Sequence, residues 1–176
     1  FLKLKSKFSK KLTFNTLDLS HFINEKDKFD VIFSKDAFLH ISNKENLCFE
    51  VFSLLKSGGF ICASDWMRKD DSLPSKQMIE YIQAEGLDMQ MCSLRRYEKA
   101  LYKAGFKNIK LIDRNSWYLK LAKQEIKDIQ GVYKDKLVEL IGLKDTKETI
   151  TVWEKMIGVL EKGEHRPGHF IADKPI

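Results

Sequence analysis

Strands that alternate with helices along 176 residues predict an α/β fold, a largely parallel sheet with helices on both faces. Three segments carry that reading. Phe29–Phe33 is a short apolar, β-branched run of the kind buried inside a parallel sheet. Asn43–Leu55 sets Leu47, Val51, Leu54 and Leu55 at helical spacing and stops at Gly58-Gly59. Phe60–Ala63 then returns to a buried-strand run.

The remaining elements follow in order. Thr13–Leu17 alternates enough for a short first strand ahead of Phe29. Pro74 suits a first helical turn, with Met78, Tyr81 and Ile82 on one face. Ser93 caps a helix that runs through Ala104 and ends at Gly105. Lys107–Asp113 is a strand, and a long helical region runs from Ser116 to about Leu140. A last helix, Thr146–Leu160, has Ile150, Trp153, Met156, Ile157 and Leu160 in register and ends near Gly163. Gly168–Asp173 is the terminal strand, and no repeat or Gly/Ser/Pro linker divides the chain.

Composition narrows the function classes. Apolar residues make up 43% and charged residues 32%, as in a folded globular protein. No apolar run approaches the roughly 18–20 residues that span a bilayer, and no signal-peptide pattern is present. The three cysteines, Cys48, Cys62 and Cys92, cannot all pair and sit in no metal-ligand spacing. They fit a reducing, cytoplasmic setting with no metal site. The net charge of +6 raises nucleic acid as a partner, but 26 of the 31 basic residues are Lys and only 5 are Arg. Most are interleaved with acids, as from Lys120 to Lys136, which is the pattern of a solvated face. Lys3, Lys5, Lys7, Lys10 and Lys11 form a denser group, read first as solvated surface and second as a phosphate-binding patch.

Ligands of parallel α/β sheets sit beyond the carboxyl ends of the strands. The segments to weigh are therefore Asp18-Leu19-Ser20, Ser34-Lys35-Asp36, Ser64-Asp65-Trp66 and Asp113-Arg114-Asn115. Capping of a following turn accounts for Asp18 and Asp113. It accounts less well for Asp36 together with His40, which a helix would set one turn apart on one face.

Phe29–Ile41 resembles the fourth-strand motif of class I S-adenosylmethionine-dependent methyltransferases, and Leu54–Asp65 resembles their helix-Gly-Gly-strand motif. The two stand in the right order with one helix between them. The form Ser34-Lys35-Asp36-Ala37-x-x-His40 looks like the branch of phosphoethanolamine N-methyltransferases and sarcosine/dimethylglycine methyltransferases. His165-Arg166-Pro167-Gly168-His169-Phe170 is similar to the Arg-x-Gly strand that closes those domains. The family's Gly-rich cofactor loop and second-strand acid have no counterpart, so the resemblance implies the C-terminal part of one Rossmann-like domain, its N-terminal βαβ portion missing. On that reading residues 1–65 hold core strands and motifs, 66–105 substrate-side helices, and 106–176 the C-terminal strands and helices.

The resemblance also implies the chemistry. The cofactor is S-adenosylmethionine, and the acceptor is a small polar molecule, first of all an amine nitrogen, phosphoethanolamine-like or amino-acid-like. Asp36 would orient the amine and receive its proton, with His40 as partner base. Asp18 would take the adenine amine and Leu19 pack on its ring, while Ser34 and Lys35 contribute backbone near the cofactor. Trp66 would hold a methylated ammonium by cation–π attraction, with an ordinary core Trp as the competing reading. Tyr81 matches a substrate-side Tyr, and Arg114, Arg166 or His169 could supply an anion site. Glu85, Leu87 and Met156 stand where the phosphoethanolamine pattern has Arg, Tyr and Lys, which argues against phosphoethanolamine itself. The rivals are methylation at oxygen, a non-catalytic methyltransferase-like partner or pseudoenzyme, and, third, a nucleic-acid-binding module. The chain alone is expected to be inactive or impaired. Acceptor identity, the number of methyl groups added, and monomer against homodimer stay open.

Overall fold

The structure, a computed structural model, describes residues 11–13 and 26–176. Four strands form one sheet: β1 (Phe29–Lys35), β2 (Leu55–Asp65), β3 (Lys107–Asp113) and β4 (Gly168–Asp173), in the spatial order β1-β2-β4-β3. Among the described residues five α-helices accompany them: α1 (Lys44–Leu54), α2 (Lys76–Glu85), α3 (Leu94–Ala104), α4 (Asn115–Gln130) and α5 (Lys134–Glu161). The expected strand at Thr13–Leu17 lies, beyond Thr13, outside the described residues.

The sheet is mixed: among the described residues β1, β2 and β3 run in one direction, as a largely parallel sheet requires, and β4 is reversed. β1 and β2 are parallel, with Ile32 opposite Ile61 and Ser34 opposite Ala63. β4 runs antiparallel to both β2 and β3. The reason lies in the α4–α5 excursion, which leaves and re-enters at one end of the sheet. Arg114 N donates to Pro167 O at 2.8 Å, and Asn115 Nδ2 donates to His165 O at 2.7 Å. A chain returning where it left must run back down the sheet.

Local chemistry sets the boundaries. Asn43 caps α1 by accepting from Asn46 N at 2.9 Å, and Ser93 caps α3 by accepting from Arg96 N. Gly105, at φ 108°, closes α3 in a conformation that costs glycine little. Pro74 lies two residues ahead of α2, because Ser75 is the cap and accepts from Met78 N. The long helical region divides where sequence periodicity did not: α4 stops at Gly131, and α5 begins at Lys134 and kinks at Gly142, φ 86°. β2 starts at Leu55 rather than Phe60, with an irregular pairing across Gly58-Gly59 in which Phe29 faces Leu55 and Val31 faces Phe60.

Two clusters make the core. Helices α1 and α3 cover one face of the sheet, packing Leu47, Val51, Tyr97 and Leu101 against Ile61, Phe170 and Ala172. On the other face Val31, Phe60, Ile112 and Ile171 are exposed, and Phe33 is 69% exposed. The second cluster joins α2, α4 and α5 through Met78, Tyr81, Ala122, Met156, Val159 and Leu160. Cys48, Cys62 and Cys92 are free thiols.

Candidate active site at the carboxyl ends of β1 and β2

Asp36 follows the last residue of β1 with a left-handed backbone, φ 50°. For a residue with a side chain this costs on the order of 1–3 kcal/mol and persists only where neighbours hold it. The neighbour is Ser64 of β2. Asp36 N donates to Ser64 O at 2.8 Å, and Ser64 Oγ makes a long 3.4 Å contact with Asp36 Oδ1. Lys35 Nζ donates to Asp36 Oδ2 at 2.5 Å. That bond and the carboxylate's charge hold the Lys35 ammonium above its ordinary range.

A cavity of about 430 Å³ opens in front of this carboxylate, lined among others by Asp36, Ser64, Trp66, Arg114, Tyr118 and His169. Burial, reinforced by Glu125, Asp36 and Glu85, pushes the Tyr118 phenol up to about 12, so it is neutral and a hydrogen-bond donor at physiological pH. The Arg114 guanidinium lies 4.2 Å above the Trp117 ring.

The turn behind Asp36 rests on a buried polar network. Asp65, at the end of β2, accepts from Leu39 N at 3.1 Å and from Tyr97 Oη at 2.5 Å. Burial pushes its carboxyl up to about 6, against the lowering influence of the Tyr97 hydrogen bond and of Lys44. Lys44 is fully buried and donates to the carbonyls of Phe38, at 2.6 Å, and Ile41. These two carbonyls bracket the 3-10 turn Phe38–His40 that carries the chain away from Asp36.

The structure gathers some of the sequence-predicted residues and separates others. Lys35, Asp36, Trp66 and Arg114 share the cavity wall. Tyr81 lies one layer behind, its ring stacked on Trp66 at 6.5 Å and fully shielded from solvent. Ser34 is buried at the end of β1, its Oγ without a partner among the described residues. His40 is not on the cavity wall; its Nδ1 lies 2.7 Å from Asp88 O. A helical face shared by Asp36 and His40 does not form, because the chain turns left-handed at Asp36 and then tightens to a 3-10 turn. Arg166 is occupied elsewhere, pairing with Asp113 at 2.5 Å and donating to Gly163 O. Asp113 also accepts from Asn115 N, which is the capping role. Leu87 is exposed, and Met156 is buried in the second cluster. Asp18 and Leu19 lie outside the described residues.

Sequence reasoning passed over Tyr118 and the Lys44–Asp65–Tyr97 network. Tyr118 carried a usable signal, since it opens the helix that follows a strand end. Lys44 carried none, because a lysine in the first turn of a helix reads as surface.

Comparison with known proteins adds the lineage. Residues 3–80 match a family model described as a methyltransferase domain. A phosphoethanolamine N-methyltransferase of Triticum aestivum is 33% identical over 146 residues, covering 83% of this chain and 28% of the relative. A Haemonchus contortus phosphoethanolamine N-methyltransferase 2, solved with phosphomonomethylethanolamine and S-adenosylhomocysteine, superposes with a TM-score of 0.81 at 20% identity, covering 90% of this chain and 36% of that one. A Galdieria sulphuraria protein described as a sarcosine dimethylglycine methyltransferase superposes at 0.79 with 18% identity, covering 95% of this chain and 60% of that one. The chain thus spans about 28% of the length of its wheat relative. Residues 3–80 thus resemble a methyltransferase domain, and the chain shares the fold of the solved phosphoethanolamine and sarcosine/dimethylglycine methyltransferases.

Proposed function

We propose that this chain carries the acceptor side of an S-adenosylmethionine-dependent methyltransferase whose acceptor is a small polar molecule methylated at an amine nitrogen. The observation that carries the reading is Asp36, strained at φ 50° and pinned by Ser64 so that its carboxylate borders the cavity. Strain of this kind concentrates at functional sites.

The residues fit the cofactor at one described point: Ser34 Oγ, buried at the strand end, has a hydrogen-bonding capacity that no group among the described residues uses. Ser34 and Lys35, with Asp18 and Leu19, are the residues that would hold it. S-adenosylmethionine, when bound, supplies an electrophilic methyl group. The work of the chain's own residues is alignment and proton handling. Lys35 occupies Asp36 Oδ2, and Oδ1, which takes only the long contact from Ser64, keeps a lone pair to accept an N–H of the acceptor and orient the nitrogen. Asp36 then takes the proton that the nitrogen sheds. The face of Trp66 stabilises the positive charge that grows on the acceptor. His40 stands off the cavity wall, so in this reading Asp36 handles the proton without it. Asp88 O can only accept, so Nδ1 carries the ring hydrogen and Nε2 presents the lone pair.

Asp36→Asn should slow transfer by about 10²–10⁴-fold with the fold intact. Turnover within about threefold of wild type would remove the mechanism. A second reading, a non-catalytic partner of another methyltransferase chain, draws on the exposed sheet face at Val31, Phe33, Phe60, Ile112 and Ile171. Covering Phe33 alone is worth roughly 1.5–3 kcal/mol to an association. Turnover that survives Asp36→Asn but vanishes with Phe33→Glu would favour it.

A further inference from the structure

The turn between β2 and α2 holds a leucine out to water. Leu73 is 92% exposed, yet the chain on both sides of it is tied down. Arg68 Nη2 donates to Ser72 O at 2.6 Å, and Ser72 N donates to Asp70 Oδ1 at 3.0 Å. Asp71 accepts from Ser93 N at 2.8 Å and from Ser93 Oγ at 2.7 Å. On the far side Ser75 N donates to Glu164 Oε1 at 2.9 Å. A lone exposed leucine is ordinary. One held out by a tied turn is not free to fold back onto the core, and its neighbours say what it faces.

Asp70, Asp71 and Ser72 form one wall of a cavity of about 630 Å³, and α3 forms the other. Lys69, Arg95, Lys99 and Lys103 line it, all exposed. None of these cations closes an ion pair among the described residues. The acids of the same cavity are engaged, Asp70 and Asp71 by the turn and Glu45 by Arg96 Nη2 at 2.8 Å. Arg95, Lys99 and Lys103 are four residues apart, so they line up along the outer side of α3 at about 6 Å per step. Tyr102 stands among them, 65% exposed, with Lys107 Nζ 5.6 Å from its ring centre. The inner side of α3, with Tyr97, Ala100 and Leu101, is buried on the sheet. Glu98 is the one acid of this helix.

We propose that this face docks on an anionic lipid surface, with Leu73 sunk past the headgroups and Lys69, Arg95, Lys99 and Lys103 set on their phosphates. Reversible attachment to a bilayer takes two signals, an apolar insertion and a basic patch, and this face carries both. Four or more Lys and Arg on an amphipathic helix are drawn to an anionic leaflet. Tyr102 suits the headgroup layer, with an apolar ring and a polar tip. No helix among the described residues is long and apolar enough to cross a membrane, so the contact is one of surface. A soluble polyanion would use the cations and leave Leu73 in water, and that difference separates the two partners.

The test is co-sedimentation of the full chain with vesicles of phosphatidylcholine alone and of phosphatidylcholine with about one-third phosphatidylserine. Wild type should bind the anionic vesicles at least about tenfold better, and less so at high salt. Leu73→Asp should weaken that binding about tenfold or more. Lys99→Gln combined with Lys103→Gln should weaken it about twentyfold, roughly fivefold for each charge. All three side chains are exposed, so circular dichroism should show the fold unchanged in both variants. Equal binding to the two kinds of vesicle overturns the proposal. Binding unmoved by the α3 pair overturns it too, and assigns the attraction to Lys3–Lys11. So does binding unmoved by Leu73→Asp, or a chain that binds inorganic tripolyphosphate and ignores the anionic vesicles.

Discussion

Asp36 and Ser64 are joined twice across the β1–β2 pair: the Asp36 amide donates to the Ser64 carbonyl at 2.8 Å, and the Ser64 hydroxyl reaches Asp36 Oδ1 at 3.4 Å. The first bond holds the left-handed backbone and the second aims the carboxylate. Ser64 thus positions Asp36, and under the proposed function it acts on the acceptor through that carboxylate.

Ser64→Ala keeps the backbone bond and removes the hydroxyl. It should cost about 0.5–1.5 kcal/mol in urea unfolding. Transfer should fall about tenfold through kcat, with KM for the acceptor moving less. A KM effect with unchanged kcat would assign Ser64 to binding instead.

Asp65 and His165 make opposite contributions to stability across one pH window. Asp65 titrates at about 6 when folded against an ordinary 3.8, so the folded state binds the extra proton and stability falls as pH rises from 4 to 6. His165, lowered to about 4 from 6.5 by complete burial, against the raising influence of Met67 O, loses stability as pH falls through the same interval. Each contributes roughly 2–3 kcal/mol in opposite directions, so the wild-type profile should be nearly flat. Asp65→Asn should expose acid destabilisation between pH 6.5 and 4, and His165→Asn should expose a gain over that range. Urea midpoints measured at intervals of half a pH unit decide this, and parallel profiles for all three proteins would refute it.

Lys44 is buried to hold two carbonyls rather than a carboxylate. Lys44→Met matches its volume but strands Ile41 O, at about 1–3 kcal/mol for the group left unpaired, while Phe38 O keeps the bond from Ile41 N. The turn Phe38–His40 should loosen, and amide hydrogen exchange at His40 and Ile41 should accelerate before global unfolding does. Unchanged protection there would show that the turn is held by Asp65 and Leu39 alone.

The legible parts of this fold are those written in local chemistry. Ser93 and Gly105 fix both ends of α3, and β3 and β4 fall on Lys107–Asp113 and Gly168–Asp173 as their patterns predict. Cap hydrogen bonds and strand patterning act within a few residues, so a sequence displays them. Strand direction is different: β4 is antiparallel because α4 and α5 fold back on each other, a contact between distant residues. The same holds at the site. Asp36 and Trp66 follow strand ends and could be found from topology. His40 could not be placed, because a left-handed Asp36 breaks the helical spacing that would have aligned the two. Lys44, Asp65 and Tyr97 meet across 53 residues of chain, and no local pattern announces a buried lysine.

The central claim is that this chain's own β1–β2 ends form half of a cofactor and acceptor site. Calorimetric titration of the folded 176-residue chain with S-adenosylhomocysteine tests it most directly, with circular dichroism as the check on folding. The account predicts micromolar binding that Asp36→Asn preserves and that Ser34→Val, which removes the unpartnered hydroxyl, weakens. A folded chain that releases no heat, or affinity unmoved by Ser34→Val, would contradict it.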